Sequence, residues 1–271
     1  MAINVDWWGA YGYGDIIHSL GYANTFAKKS GVEVNLNIHW DCGEARKFHG
    51  LDPETKLERF KILQDEIVMC HRVNVTHHMR SMGVVYNGIS KVPSAGSRVL
   101  PRYKNVFDDT ISLHALVEPK NHYSVVKNQI CIWTPEYNIN ELHDWKDTLK
   151  GRWEDFRNII EDQGFTIVEI SYREPIKNAI KKVATSEYCV GYGGLGKGLA
   201  GLFWKPLVSI TQRSNNTYRE TPWAYPVSDE KTLHDLLPLF VESKRNIPAV
   251  LEDYHRYINN DALMLGKYVI Q

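Results

Sequence analysis

Three groups of residues in this sequence have types and spacing suited to chemistry. In Gly191-Tyr192-Gly193-Gly194-Leu195-Gly196-Lys197, the glycines and the lysine fit the spacing of a phosphate-binding P-loop. A glycine-rich turn between a strand and a helix aims backbone N–H groups at an anion. The next residue is Gly198, where a P-loop carries Ser or Thr to hold magnesium. The segment therefore reads as an altered ATP site or as a cradle for a different phosphate. Close helix–strand packing would call for glycines as well.

The second group is Gly9, Gly12, Gly14 and Asp15, followed by His18. Asp15 has two readings. As a helix N-cap or first-turn acid it complements the helix dipole. As a carboxylate at the C-terminal end of a parallel strand, it faces the crevice where open α/β sheets bind ligands. The glycines favour the second reading, because they let a ligand approach the backbone. His18 orients a substrate or is a satisfied helix histidine.

The third group is an asymmetry of charge. Residues 67–107 contain no Asp or Glu, but carry Arg72, Arg80, Lys91, Arg98, Arg102 and Lys104, with His71, His77 and His78. Tyr86, Tyr103 and Phe107 are interleaved and could stack on bases or sugars. The stretch points to an anionic ligand, unless neighbouring segments supply the missing acids.

These residues need a scaffold, and the hydrophobic pattern supplies one. INVDWW (3–8) is a strand running into a glycine loop through Gly14, and residues 15–30 read as a helix. Ile16, Leu20, Ala23 and Ala27 share a face of that helix, and Gly31 stops it. Residues 32–40 alternate strictly, as a strand with one buried face does. Asp52-Pro53 opens a helix with Leu57, Phe60, Leu63 and Ile67 on its apolar face. RVNVTHH (72–78) is a further strand, and residues 80–125 are broken by Pro93, Gly96 and Pro101.

From Lys127 a second unit alternates strand and helix. NQICIWT, FTIVEIS, EYCVGY and PLVSI are strands. GRWEDFRNIIEDQG, EPIKNAIKKVA and GLAGLFW are helices, with two more near 229–242 and 248–262. The alternation predicts α/β architecture, with a parallel sheet covered on both faces in this unit.

Composition excludes several classes. The chain has 271 residues, 43% hydrophobic and 24% charged, with a formal net charge of zero. It is an ordinary globular chain without a global field for nucleic acid or membranes. Its four cysteines, Cys42, Cys70, Cys131 and Cys189, form no CxxC pair, and Cys131 and Cys189 sit in apolar strands as buried thiols. The N-terminus does not read as a signal peptide, and no apolar run approaches the ~20 residues of a membrane span. A reduced, cytoplasmic protein is expected. His77-His78 lacks zinc spacing, Asp108-Asp109 is not an Asp-x-Asp clamp, and no G-x-S-x-G elbow occurs.

The segment Gly14-Asp15-Ile16-Ile17-His18-Ser19-Leu20 resembles the opening motif of glycosyltransferase family 9, the ADP-heptose-type heptosyltransferases. Gly21 stands where that family has proline. TLKGRWEDF, with Lys150, Arg152 and Trp153, is similar to the family's Lys-x-Trp element. The glycine turn with Lys205-Pro206 is similar to its acid-Thr-Gly-Leu-Ser-His segment, although the acid and the histidine are missing.

The resemblance implies a GT-B fold, two Rossmann-like domains facing across a cleft. The acceptor domain would be 1–126 and the donor domain 127–271 with its C-terminal helices. It implies an inverting, metal-independent transfer with a nucleotide sugar as co-substrate and no cofactor. Asp15 would be the general base, assisted by His18. Thr134, Lys150, Arg152, Gly193, Gly194, Gly196 and Lys197 would hold the donor diphosphate. Gly12, Gly14, Arg80, Lys91, Arg98, Arg102 and Lys104 would face the acceptor. Trp223 and Tyr225 could line the nucleotide pocket.

Two anionic acceptors fit: a phosphorylated saccharide, or DNA carrying a hydroxymethylated base. In size and domain order the chain also looks like the phage glycosyltransferases that modify such bases, which would flip the base towards Asp15. The competing readings are a P-loop-like nucleotide kinase or ATPase, which would require Mg·ATP, and a non-catalytic nucleotide-sugar or nucleic-acid binding protein.

Overall fold

Strict alternation in the N-terminal strands produces a parallel sheet with two chemically different faces. The computed structural model describes residues 2–8, 13–41, 52–80, 118–133, 153–171, 174–191, 195–203, 205–210, 224–227 and 230–243. These residues fall into two compact units, one up to Lys120 and one from Asn121.

The first unit runs β1 (Ala2–Trp8), α1 (Tyr13–Ser30), β2 (Glu33–Asp41), α2 (Pro53–Asp65), β3 (Ile67–Val68), β4 (Val73–Arg80) and β5 (Glu118–Pro119). Its main sheet has the order β1-β2-β4, all parallel. Both crossovers advance in the same direction, so right-handedness places α1 and α2 on one face. That face is apolar: Val34, Leu36, Ile38 and Trp40 of β2 are buried there, with Leu20, Ala23 and Ala27 of α1 and Phe60 and Leu63 of α2.

The other face is a polar ladder. Asn35 Nδ2 donates to Asn4 Oδ1 at 2.9 Å, Asn74 Nδ2 to Asn35 Oδ1 at 3.0 Å, and Thr76 Oγ1 to Asn37 Oδ1 at 2.6 Å. Asn4, Glu33, Asn74 and Thr76 are exposed. The single buried face expected for residues 32–40 is what this sheet has here. Amide and hydroxyl side chains bonded across strands keep the ladder satisfied in water.

Three local details differ from the sequence pattern. Helix α1 begins at Tyr13, so Gly14 is its second residue and not part of a loop. Lys56, not Leu57, holds the buried position one turn before Phe60, at 2% exposure. Ile67 lies beyond the helix, in β3. The helix ends follow the expected chemistry. Asp52 caps α2 by accepting from Thr55 N–H at 2.7 Å, with Pro53 at the first helical position. Gly31 closes α1 at φ +68°, the left-handed conformation that glycine adopts freely.

The second unit runs β6 (Gln129–Trp133), α3 (Trp153–Asp162), β7 (Thr166–Ile170), α4 (Ile176–Thr185), β8 (Tyr188–Gly191), α5 (Leu195–Leu202), β9 (Leu207–Ile210), β10 (Ala224–Val227) and α6 (Glu230–Ser243). Its parallel sheet has the order β10-β9-β8-β6-β7. The chain moves one way from β6 to β7 and the other way from β7 through β8 to β10. Helices α4 and α5 therefore pack together on one face, and α3 and α6 on the other. Every residue of β8 and β9 is buried, as expected for strands covered on both sides. The helix expected near 248–262 lies outside the described residues.

Candidate functional site

A parallel sheet whose strand order reverses direction opens a crevice at the carboxyl ends of the two strands flanking the reversal. In the second unit those strands are β6 and β8. Strand β6 ends at Trp133, and β8 ends at Gly191, where the glycine-rich segment begins. Helix α5 starts at Leu195, so Gly196 and Lys197 are in its first turn.

The two outer glycines of this segment have a packing reason. A Cβ on Gly191 would lie 2.1 Å from the Trp133 ring, and one on Gly196 would lie 2.2 Å from it. The indole is wedged between the end of β8 and the start of α5, and Trp133 is only 5% exposed. Trp133 and Gly191 are register partners, as are Gly191 and Ser209 on β9.

Electrostatics at the start of α5 favour an anion. The first turn has no acidic residue and contains Lys197, half-buried. Among the described residues of this unit, two polar atoms are buried without a hydrogen-bond partner: the Trp153 indole N–H, at the first residue of α3, and Ser209 Oγ. Buried polar groups are normally bonded. Beneath this edge, Cys131 and Cys189 are register partners. Burial pushes the Cys189 thiol up to about 12 and the Cys131 thiol well above its ordinary range.

In the first unit the sequence motif brackets the carboxyl edge of the β1-β2-β4 sheet. Asp15 and His18 are the third and sixth residues of α1, the helix that follows β1, so they sit at that edge. Arg80 ends β4 in register with Asp41, the last residue of β2. One row inward, the His39 and His78 rings stack at 4.9 Å with 19° between their planes. His77 faces the opposite side, where it receives the Trp40 indole N–H at 3.1 Å and lies 3.0 Å from Gln64 Oε1. Adjacent strand positions thus separate the two histidines, as expected. Among the described residues no cluster of three or more His, Cys, Asp and Glu is placed to share a metal ion. None of the helices among them is long and apolar enough to cross a membrane.

Of the expected site residues, the structure places Asp15, His18, Gly14 and Arg80 at one edge, and Gly196 and Lys197 at the other unit's switch point. Gly12, Thr134, Lys150, Arg152, Gly193, Gly194, Lys91, Arg98, Arg102 and Lys104 lie outside the described residues, as do Tyr86, Tyr103, Phe107 and Trp223. Tyr225 belongs to β10. Sequence reasoning missed Trp133 and Lys56. Lys56 was legible in principle, since 56, 60 and 63 follow helical spacing. The wedge of Trp133 between Gly191 and Gly196 joins residues far apart in the sequence and has no local signal.

No family model matches the chain, and neither does any curated protein sequence. Solved structures are similar to it at low identity. One is the bacterial iron-containing dodecameric glycosyltransferase TibC from enterotoxigenic E. coli H10407, at 11% identity and TM-score 0.46 over 84% of this chain. The chain spans 62% of that protein's length. A second is the E. coli heptosyltransferase WaaC with ADP, at 10% identity and TM-score 0.44, covering 90% of this chain and 100% of that one. A third is TibC in complex with ADP-D-beta-D-heptose, at 11% identity and TM-score 0.48, covering 95% and 76%.

Proposed function

We propose that this chain is an inverting, metal-independent glycosyltransferase of GT-B type, with the acceptor domain in 1–126 and the donor domain in 127–271. The observation that carries the reading is the coincidence of the glycine-rich segment with the topological switch point between β6 and β8. A P-loop follows the first strand of its unit, whereas this segment follows β8, the third strand in chain order. Gly198 supplies no magnesium ligand. A nucleoside diphosphate needs only N–H donors and cations, which the start of α5 and Lys197 offer, joined by Gly193, Gly194, Lys150, Arg152 and Thr134.

In the reaction, the Asp15 carboxylate takes the proton of the acceptor hydroxyl as that oxygen attacks the anomeric carbon of the donor sugar. The bond from the anomeric carbon to the diphosphate oxygen breaks, and its electron pair leaves with the nucleoside diphosphate. Attack opposite the leaving group inverts the anomeric centre. His18 orients the acceptor, and Gly12 and Gly14 let it approach the backbone. Arg80, Lys91, Arg98, Arg102 and Lys104 meet its negative charge, whether on a phosphorylated saccharide or on DNA.

A thermal-shift panel of ATP, ADP, UDP, GDP and their sugar conjugates, with and without Mg²⁺, tests the reading. A ligand at about 100 times its Kd adds roughly 2.7 kcal/mol. Stabilisation by one diphosphate nucleotide, indifferent to Mg²⁺, is expected. Stabilisation by Mg·ATP alone would sink the proposal. Asp15→Ala should then abolish transfer while leaving donor affinity unchanged.

A further inference from the structure

We infer that Trp133 is the positioning residue of the donor site, acting through the two glycines it touches; the inference rests on the glycosyltransferase reading above. Trp133 ends β6 on the switch-point side, and its indole fills the space that side chains on Gly191 and Gly196 would need. Those glycines flank residues 192–195 in the sequence. One belongs to the last row of β8 and the other to the first turn of α5. A rigid, two-ringed side chain held at both ends fixes the direction in which α5 presents its first-turn N–H groups and Lys197. Diphosphate binding by oriented N–H groups depends steeply on that direction, because hydrogen bonds weaken away from linearity.

The same contact accounts for the two outer glycines. Gly191 and Gly196 are small because Trp133 occupies their side-chain space. This explains why Gly191 and Gly196 match P-loop spacing without P-loop chemistry. Ser209 lies in the same sheet row as Trp133 and Gly191, and its fully buried hydroxyl has no hydrogen-bond partner. The row therefore carries one side chain that sets the turn and one polar group without a partner.

The test uses the full chain and measures binding of ADP, UDP and GDP by calorimetry, alongside melting temperature. Trp133→Leu should weaken the nucleotide that binds wild type at least tenfold. Trp133→Phe, which keeps a flat ring, should weaken it several-fold less. Gly196→Ala should lower the melting temperature, and Trp133→Leu combined with Gly196→Ala should regain much of that loss without regaining affinity. That separation of stability from affinity is what a merely space-filling tryptophan would not produce. If the Leu variant melts too early to assay, the Phe and double variants decide. Wild-type affinity in Trp133→Leu, or in the double variant, would overturn the role of Trp133 while leaving the glycosyltransferase reading intact. Failure of all three nucleotides to bind wild type would overturn both.

Discussion

The Trp40 indole donates to Nδ1 of His77 at 3.1 Å, and this bond fixes the tautomer of a histidine inside the N-terminal unit. An indole N–H can only donate, so Nδ1 accepts and the ring proton sits on Nε2, directed to Gln64 Oε1 at 3.0 Å. Acceptance at Nδ1 requires a neutral ring, whereas Nε2 donates in either state. Burial holds His77 down to about 4, with the charges of Lys61 and His78 acting in the same direction. The histidine is a core hydrogen-bonding group and not a metal ligand or a catalytic acid.

A pH dependence follows from the lowered value. The unfolded chain binds the proton at the ordinary value near 6.5, and the folded chain only near 4. Between these values the unfolded state holds more protons, so stability is complete above about pH 6.5 and falls as pH drops towards 4. Allowing for the partial exposure of the ring, the loss is about 1–2 kcal/mol. His77→Gln keeps an acceptor for Trp40 and a donor for Gln64 but cannot titrate. Urea denaturation of both proteins from pH 7 to pH 4 should show a smaller fall in the variant; equal falls would clear His77 of the effect.

Lys56 has the opposite chemistry in a similar place. It occupies the buried stripe of α2 with Phe60 and Leu63, near the positive end of the helix. Burial lowers its pKa to about 8, partly offset by the Asp52 carboxylate. Between pH 8 and the ordinary value of 10.5, the unfolded chain holds the proton and the folded chain does not. Stability therefore rises with pH across that window, and at neutral pH the buried charge is a cost. Lys56→Met should raise the melting temperature at pH 7 by roughly 2–4 °C. The advantage should shrink towards pH 10; an advantage independent of pH would mean packing, not charge, is responsible.

Much of the fold was legible because its signals are local. The alternation in 32–40 set the buried face of β2 before any partner was known, and Asp52-Pro53 marked the start of α2. Errors arose where tertiary context overrode local preference. Gly14 reads as loop, but in the first turn of α1 a glycine forfeits little helix stability. Strand β10 contains Pro226, which argues against a strand, yet β10 ends the sheet order, where a missing N–H is tolerated. For the site, Asp15 and Lys197 were visible as residue types in a motif. The partner that shapes the glycine turn was not, since Trp133 meets Gly191 and Gly196 only once β6 and β8 are neighbours.

Cys131 and Cys189 should be inert in the folded protein. They are adjacent in register on β6 and β8, both fully buried, and burial raises both thiols. The thiolate is the reactive form, and it is suppressed here. In a variant carrying Cys42→Ser and Cys70→Ser, an aromatic disulfide reagent at pH 8 should release no colour until denaturant is added. Rapid labelling of the native variant would mean that this sheet opens far more easily than its burial implies.

Gly191→Ala and Gly164→Ala make a controlled comparison within the same unit. Gly164 has φ +82° and open space around it, so an added methyl group brings only backbone strain, about 1 kcal/mol. Gly191 needs no left-handed backbone, but its added Cβ would lie 2.1 Å from the Trp133 ring. Neither the indole, wedged also against Gly196, nor the fully buried β8 backbone has room to retreat. Overpacking of this kind costs about 3 kcal/mol. Urea midpoints of the two variants should therefore separate clearly, with Gly191→Ala the less stable. Adding Trp133→Leu should rescue Gly191→Ala and leave Gly164→Ala unrescued. Equal destabilisation by the two alanines would mean that the glycine turn yields to Trp133, and that the wedge does not fix α5.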